Sequence, residues 1–116
     1  VGFIDHPIIE YFGCSPDGFV SDGNMIEVKC PKTTTHLGYL LDNVVPEQYK
    51  PQMLVQAACT GKNVWFCSFD PRLPEKQQLF IKLYEPTPAE VSQIESHAEQ
   101  FLFEVEELFT RITEEV

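Results

Sequence analysis

Residues 13–31 read GCSPDGFVSDGNMIEVKCP, and this stretch decides the fold. Its Ser-Pro-Asp-Gly motif is typical of a turn, and the Phe-Val pair after it begins a strand. Residues 21–24, Ser-Asp-Gly-Asn, predict a tight reversal into a second strand, which Pro31 ends. The stretch therefore predicts a hairpin that places Asp17 beside Glu27.

The second strand of this hairpin carries the charged residues of interest. Side chains alternate along a strand, so Glu27 and Lys29 lie on one face and the apolar residues around them on the other. Two carboxylates, from Asp17 and Glu27, and the backbone carbonyl of Val28 are the hard oxygen ligands that Mg²⁺ prefers, with Mn²⁺ as a substitute. Such an ion polarises phosphate, and Lys29 would stabilise the negative charge that develops. The pattern fits phosphodiester hydrolysis, and the alternative is an ordinary Asp-Gly turn followed by a strand Glu-x-Lys, which is common in proteins without this activity.

The rest of the chain predicts an α/β fold with a mixed central sheet of about five strands flanked by helices. Thr33-Thr34-Thr35 would cap the first helix, and Gly61 would end the second. The predicted elements besides the hairpin are strand 8–12, a helix from the threonines to about Leu41, a helix from Pro46 or Gln48 to Thr60, and strands 63–69 and 78–84.

A long C-terminal helix is the clearest predicted element. Thr87-Pro88-Ala89-Glu90 is a capping box with proline at the first helical position. Apolar residues then repeat with helical spacing and form one face. Core packing is the first interpretation of this face, and a partner helix is the second. The residues of the face are Val91, Ile94, Ala98, Phe101, Val105, Leu108 and Ile112.

Length and composition predict a single globular domain over residues 1–116. No window resembles a membrane span, so no membrane partner is expected. The four cysteines lack Cys-x-x-Cys spacing, which favours reduced, mostly buried thiols over a zinc site. The net charge of −10 is unusual for a DNA-binding protein, but nine of the 18 acidic residues lie in residues 85–116 with one base, Arg111. We therefore expect the acidic tail to lie away from DNA.

The hairpin motifs, with Gly13-Cys14-Ser15-Pro16-Asp17-Gly18 followed by Ile26-Glu27-Val28-Lys29-Cys30-Pro31, match the PD-(D/E)xK nuclease pattern. The chain most resembles the phage lambda exonuclease family, also called YqaJ-type viral recombinases. The resemblance covers about residues 8–84. It continues through three further motifs, Tyr49-x-x-Gln52, Thr60-Gly61-x-Asn63-x-Trp65 and Phe69-Asp70-Pro71-Arg72. An ordered run of motifs is more specific than any one of them.

The resemblance implies a restriction-endonuclease-like core and assigns catalytic roles within it. Asp17 and Glu27 would be the metal ligands, together with the Val28 carbonyl. Lys29 would be the catalytic lysine. Gln52, on the second helix, would orient Lys29 or the attacking water.

The resemblance also implies contacts with DNA. Ser15 would contribute to a pocket for the 5′-phosphate of the digested strand. Tyr49, one helical turn before Gln52, would lie on the same helix face. Lys32, which directly follows the motif, is a candidate for a phosphate contact.

Members of this family are magnesium-dependent 5′→3′ exonucleases that act on double-stranded DNA ends and leave 3′ tails for recombination by strand annealing. The resemblance therefore implies DNA ends, a single-strand annealing protein and a homo-oligomer, by analogy a trimer, as partners. It places the protein in the cytoplasm of a bacterial or phage-infected cell, or in a nucleus or organelle in a eukaryote.

Two alternatives stay open. One is an endonuclease of the restriction or junction-resolving type on the same fold. The other is a truncated, inactive remnant that binds DNA or protein. The second arises because the family has an upstream helical region with another Glu ligand and a phosphate-binding Arg, which we expect this chain to lack.

Four other residues are interpreted as ordinary. Gln56 shares a helix face with Gln52, but exposed helix glutamines are common. His36 is interpreted as solvent-facing, with a DNA contact as the alternative. Trp65 and Phe66 are expected in the core rather than stacked on DNA bases.

Overall fold

The computed structural model describes residues 2–115, so Val1 and Val116, the ends of the predicted domain, lie outside the described residues. Two short strands, β1 (Ile4–Asp5) and β2 (Gly13–Cys14), form an antiparallel pair. A mixed sheet has the order β3-β4-β5-β6. Its strands are β3 (Gly18–Phe19), β4 (Met25–Lys29), β5 (Val64–Phe69) and β6 (Leu79–Tyr84).

Three α-helices complete the fold of residues 2–115, namely α1 (Thr33–Asp42), α2 (Lys50–Thr60) and α3 (Pro88–Glu115). Strands β4 and β5 are parallel, and helices α1 and α2 form the crossover between them. The predicted α/β class, the mixed sheet and the long C-terminal helix are thereby confirmed. The main sheet has four strands, and the small β1–β2 sheet is separate from it.

The core lies between one face of the main sheet and helices α1 and α2. Phe66 of β5 is fully buried and contacts the rings of Tyr39, Tyr49 and Phe80. Burial of so large a side chain stabilises the fold by about 1.5–3 kcal/mol. The prediction that Phe66 is a core residue is correct. Trp65 points to the other face, where its indole N–H donates to Asp22 at 2.8 Å.

The opposite face of the main sheet is apolar but only partly covered within residues 2–115. Its β4, β5 and β6 residues alternate with the core residues, as strand geometry requires. Four of them are 36–49% exposed, namely Val28, Phe69, Leu79 and Ile81.

The predicted strand over residues 8–12 is wrong, because this segment is a loop between β1 and β2. The Nδ1 atom of His6 accepts hydrogen bonds from the backbone N–H groups of Ile8 and Ile9, which curls the chain into a turn. Tyr11 then adopts a left-handed conformation with φ 60°, which a strand cannot contain. The loop is fixed to α3 because His6 Nε2 contacts the Glu95 carboxylate.

The predicted end of α2 is correct, whereas the predicted cap at the start of α1 is wrong. The threonines do not cap α1, since Lys32 is the N-cap and Thr33 donates its hydroxyl proton to Asp70 at 2.6 Å. Helix α2 follows a single 3₁₀ turn, Glu47–Tyr49, and ends at Gly61 with φ 72°. The predicted glycine stop is therefore correct.

Helix α3 begins with the predicted capping box. The Thr87 hydroxyl accepts from the Glu90 N–H at 3.1 Å, and the Glu90 carboxylate accepts from the Thr87 N–H at 3.0 Å. Val91, Ile94 and Ala98 are half-buried on the side that faces α2 and the β1–β2 loop.

Beyond this point the expected core packing of α3 is wrong, because the helix extends past α2. Its distal apolar side chains are 45–65% exposed, including Phe101, Val105, Leu108 and Ile112. None of the helices within residues 2–115 is both long and apolar enough to cross a membrane.

The cysteines are free thiols, and three of the four are buried, as expected. Cys14 of β2 and Cys59 of α2 are neighbours. Burial, with Cys14 alongside, raises the pKa of the Cys59 thiol to about 12. Such thiols are unreactive packing groups.

Candidate active site

The hairpin brings Asp17 next to Glu27. Gly18 pairs with Ile26 and Phe19 with Met25, so the same antiparallel register places Asp17 opposite Glu27. Asp17 is exposed, and one oxygen of its carboxylate accepts the backbone N–H of Val28 at 2.8 Å. This hydrogen bond fixes the Asp17 side chain at the edge of β4.

Glu27 is buried on the core side of the sheet, with 3% of its surface exposed. A buried carboxylate requires hydrogen-bond donors or a cation. Its Oε1 atom accepts from Gln52 Nε2 at 3.0 Å, and its Oε2 atom accepts from Gln56 Nε2 at 3.0 Å. Helix α2 therefore satisfies this carboxylate with two glutamines, one turn apart.

Lys29 lies on the same strand face as Glu27, two residues later. Its ammonium nitrogen is 3.6 Å from Glu27 Oε1 and 4.9 Å from the centre of the Tyr49 ring. Tyr49 in turn stacks on Phe66, with 5.5 Å between ring centres. The lysine is thus held between a carboxylate and an aromatic face, and its charge is directed to the Glu27 side of the site.

The oxygen atoms of this site suit a hard divalent cation. In a strand, the N–H and C=O groups of one residue project to the same side, so the Val28 carbonyl shares the edge where Asp17 binds the Val28 N–H. Within residues 2–115 no group of three or more His, Cys, Asp or Glu side chains forms a metal cluster. Two carboxylates and a carbonyl fit Mg²⁺, which usually keeps several waters and binds substrate phosphate.

A second polar cluster fixes the end of β4. The buried Asp70 carboxylate, just after β5, accepts from Arg72 Nε at 2.8 Å and from the Thr33 hydroxyl at 2.6 Å. Arg72 also donates to the Pro31 carbonyl at 3.0 Å. These contacts tie the segment after Lys29 to the neighbouring strand. The hydrogen bonds from Arg72 and Thr33 lower the pKa of Asp70 to about 2.

The residues predicted to bind DNA lie around this site in different settings. Ser15 is exposed two residues before Asp17, and Lys32 is exposed at the N-cap of α1. Both have side chains that DNA can reach. Tyr49 is half-buried beneath Lys29, so its position suits support of the lysine better than a direct phosphate contact.

Two buried residues, Gln56 and His36, differ from their sequence-based predictions. The sequence predicts an exposed helix residue at Gln56, but Gln56 is 2% exposed and hydrogen-bonded to Glu27. Its spacing of four from Gln52, which puts both on one helix face, was the available signal. His36 was expected to face solvent, but it is fully buried, with its ring nitrogens 2.7 Å from Ser68 Oγ and 2.8 Å from the Gln77 carbonyl.

Comparisons with known proteins agree with this fold. The family described as the YqaJ-like viral recombinase domain matches residues 1–63. The chain is similar to the crystal structure of an alkaline exonuclease, LHK-Exo, from Laribacter hongkongensis. The TM-score is 0.92 at 40% identity, over 99% of this chain and 60% of that chain.

A crystal structure of LHK-Exo in complex with dAMP is also similar, with a TM-score of 0.89 at 42% identity, over 97% of this chain and 58% of that chain. A search of curated proteins found no significant match. This chain spans about three-fifths of the length of the exonuclease that it resembles.

Proposed function

Because the chain belongs to the YqaJ-like viral recombinase domain family, we propose that it carries the catalytic centre of a metal-dependent DNA exonuclease. The observation that carries this proposal is the convergence of Glu27 and Lys29, 3.6 Å apart, beside Asp17 and under the glutamines of α2. The similarity to an alkaline exonuclease at 40% identity supports exonuclease over other nuclease classes.

Asp17, Glu27 and the Val28 carbonyl would hold the divalent ion, which we propose to be Mg²⁺. When bound, such an ion polarises the phosphate and lowers the pKa of a water molecule. The burial of Glu27 keeps its carboxylate in one orientation, because both of its oxygens are hydrogen-bonded. A metal ligand that is already held in one orientation reduces the reorganisation of the site during the reaction.

Lys29 stabilises negative charge where the phosphate reacts. Its ammonium group is fixed by Glu27 and the Tyr49 ring, so its field is already oriented before DNA binds. Gln52 bonds to the Glu27 oxygen that is nearest to Lys29 and lies at the exposed side of α2. These contacts support the proposal that Gln52 orients the lysine or the attacking water.

The finer features of the proposal rest on the family resemblance. We propose 5′→3′ digestion of double-stranded ends, recognition of a 5′-phosphate with Ser15 and Lys32, and action as a homo-oligomer beside a single-strand annealing protein. The recombinase description of the family supports a role in DNA recombination. The LHK-Exo complex with dAMP supports a mononucleotide as the released product.

The test is a digestion assay on the full-length protein with Mg²⁺. Linear duplexes with and without a 5′-phosphate are incubated beside circular DNA, and Ca²⁺ replaces Mg²⁺ in a control. The proposal expects progressive loss from 5′-phosphorylated ends, intact circles, and binding without cutting in Ca²⁺. Cutting of circles would indicate an endonuclease instead, and binding without any cutting in Mg²⁺ would indicate an inactive remnant.

A further inference from the structure

Gln56 lies in the proposed active site, next to Glu27, but the proposed chemistry does not use Gln56 directly. It is 2% exposed and donates its side-chain N–H to Glu27 Oε2 at 3.0 Å. The other oxygen of the same carboxylate, Oε1, bonds to Gln52 at 3.0 Å and lies 3.6 Å from the Lys29 ammonium. The two oxygens of Glu27 therefore have different environments.

The Glu27 oxygen near Lys29, Oε1, contacts both Gln52 and Lys29. Gln52 is exposed, so Oε1 lies at the end of the carboxylate that is closer to solvent. Oε2 faces the buried residue Gln56, one helical turn further along α2. A carboxylate held at Oε2 cannot rotate freely, and Oε1 stays directed towards Lys29.

The Gln56 amide itself is incompletely satisfied. Its Oε1 atom is buried and has no hydrogen-bond partner among the described residues. Rotation of the amide would bring this oxygen against the Glu27 carboxylate, which repels it, so the N–H orientation is fixed by Glu27. A buried acceptor without a hydrogen-bond partner is unfavourable for folding. The presence of glutamine at this position therefore requires an explanation other than stability.

We propose that Gln56 is a positioning residue for the metal site: it anchors the buried oxygen of Glu27 and thereby presents the other oxygen to the cation. This inference rests on the proposed function, since it assigns Glu27 to a divalent ion. Residues that orient a metal ligand typically change metal affinity or activity by roughly 10- to 100-fold when they are replaced.

The test compares Gln56→Met with Gln100→Met in the full-length protein. Methionine is close in size to glutamine but cannot donate a hydrogen bond. Gln100 is a matched control because its amide also donates to a glutamate carboxylate, that of Glu104, at 3.0 Å, but on the exposed surface of α3. Calorimetric titration with Mn²⁺ in the absence of DNA gives metal affinity, and digestion of linear duplex in Mg²⁺ gives kcat and KM.

We expect Gln56→Met to weaken Mn²⁺ binding and lower kcat by roughly tenfold or more, with KM for DNA within about twofold. Gln100→Met should match the wild type in all three quantities. Thermal unfolding without metal measures the folded fraction of each variant. If Gln56→Met fails to fold, Gln56→Asn replaces it, because its shorter amide stays polar but no longer reaches Glu27.

Two results would overturn the inference. One is a folded Gln56 variant with wild-type metal affinity and kcat. The other is a wild-type protein that neither binds Mn²⁺ nor cuts DNA, in which case the proposed function fails and the role of Gln56 fails with it. An active wild type beside an unaffected Gln56 variant removes only the positioning role.

Discussion

At the scale of single residues, Asp70 joins two segments of chain, residues 31–33 and 70–72, around one buried carboxylate. Arg72 binds it, and Arg72 also reaches the carbonyl of Pro31 beyond β4. The Lys29 end of β4 is thereby fixed by residues that do not contact the proposed catalytic groups. The Asp-Pro-Arg motif is in this sense part of the scaffold of the site.

The pH dependence of the free energy of unfolding in acid tests the cluster around Asp70. The pKa of Asp70 is lowered from 3.8 to about 2, chiefly by Arg72, so its stabilisation is complete above pH 3.8 and is lost as the pH falls through 2. We expect Arg72→Gln to lower the free energy of unfolding at pH 6. The difference from wild type should shrink steadily between pH 4 and pH 2. Urea unfolding at a series of pH values measures it, and a difference that does not vary with pH would contradict the cluster.

Variants of Lys29 and Asp17 should distinguish a loss of catalysis from a loss of metal binding. We expect Lys29→Ala to lower kcat by about 10²–10³-fold, because it removes a fixed charge that stabilises the transition state. Mn²⁺ affinity measured by calorimetry should stay within a few-fold of wild type. Asp17→Ala should reduce both quantities. Equal loss of metal binding in the two variants would show that Lys29 acts only through Glu27.

The sequence was sufficient to place Asp17, Glu27 and Lys29 together, because a two-residue period and one tight reversal determine the register. It did not predict that Glu27 would be buried. Alternation separates Glu27 and Lys29 from Ile26 and Val28, but it does not say which face the helices cover, and here α1 and α2 cover the charged one. The burial of Gln56 and His36 was not predictable for the same reason.

At the scale of elements, local hydrogen-bond chemistry was predictable where it involves neighbouring residues. The capping box of α3 and the glycine stop of α2 depend on a few adjacent positions. The loop over residues 8–12 was not predictable, because its shape depends on His6 and on the distant Glu95. Thr33 likewise bonds to Asp70 across the fold instead of capping its own helix.

The capping box provides a test at this scale. We expect Thr87→Ala to lower the free energy of unfolding by about 1 kcal/mol, because the Glu90 N–H loses its acceptor. The hydrogen bonds with Thr87 also lower the pKa of Glu90. Chemical denaturation measures the change. Thr110→Ala, in the exposed distal part of the same helix, is the control and should cost less; equal losses would mean that the cap contributes nothing.

At the scale of the whole molecule, charge is distributed unevenly. Residues 85–116 hold half of the 18 acidic residues, and most of α3 is exposed to solvent. The proposed DNA binding would therefore depend on a few basic residues near the site. The uneven charge is visible in the composition, and the position of the acidic tail away from DNA stays a prediction. The extension of α3 past α2 depends on where the body of the fold ends.

The dependence of DNA affinity on salt tests how many phosphates are contacted. If Lys32 contacts one phosphate, Lys32→Ala should reduce the slope of log K against log salt by about 0.9 and weaken binding equally for all sequences. Lys76→Ala is the control, since Lys76 is also exposed but follows β5. Fluorescence anisotropy in Ca²⁺ gives the slopes. An unchanged slope in the Lys32 variant would remove it from the DNA surface.

The extension of α3 has a hydrodynamic consequence. The radius of gyration is 17.6 Å and the longest dimension is 61 Å, whereas a compact chain of this length has a radius of about 13 Å. So elongated a particle diffuses slowly and elutes early from a gel-filtration column that is calibrated with spherical standards. A single copy would then imitate a dimer by elution volume, so its stoichiometry has to be measured by mass, through light scattering or sedimentation equilibrium.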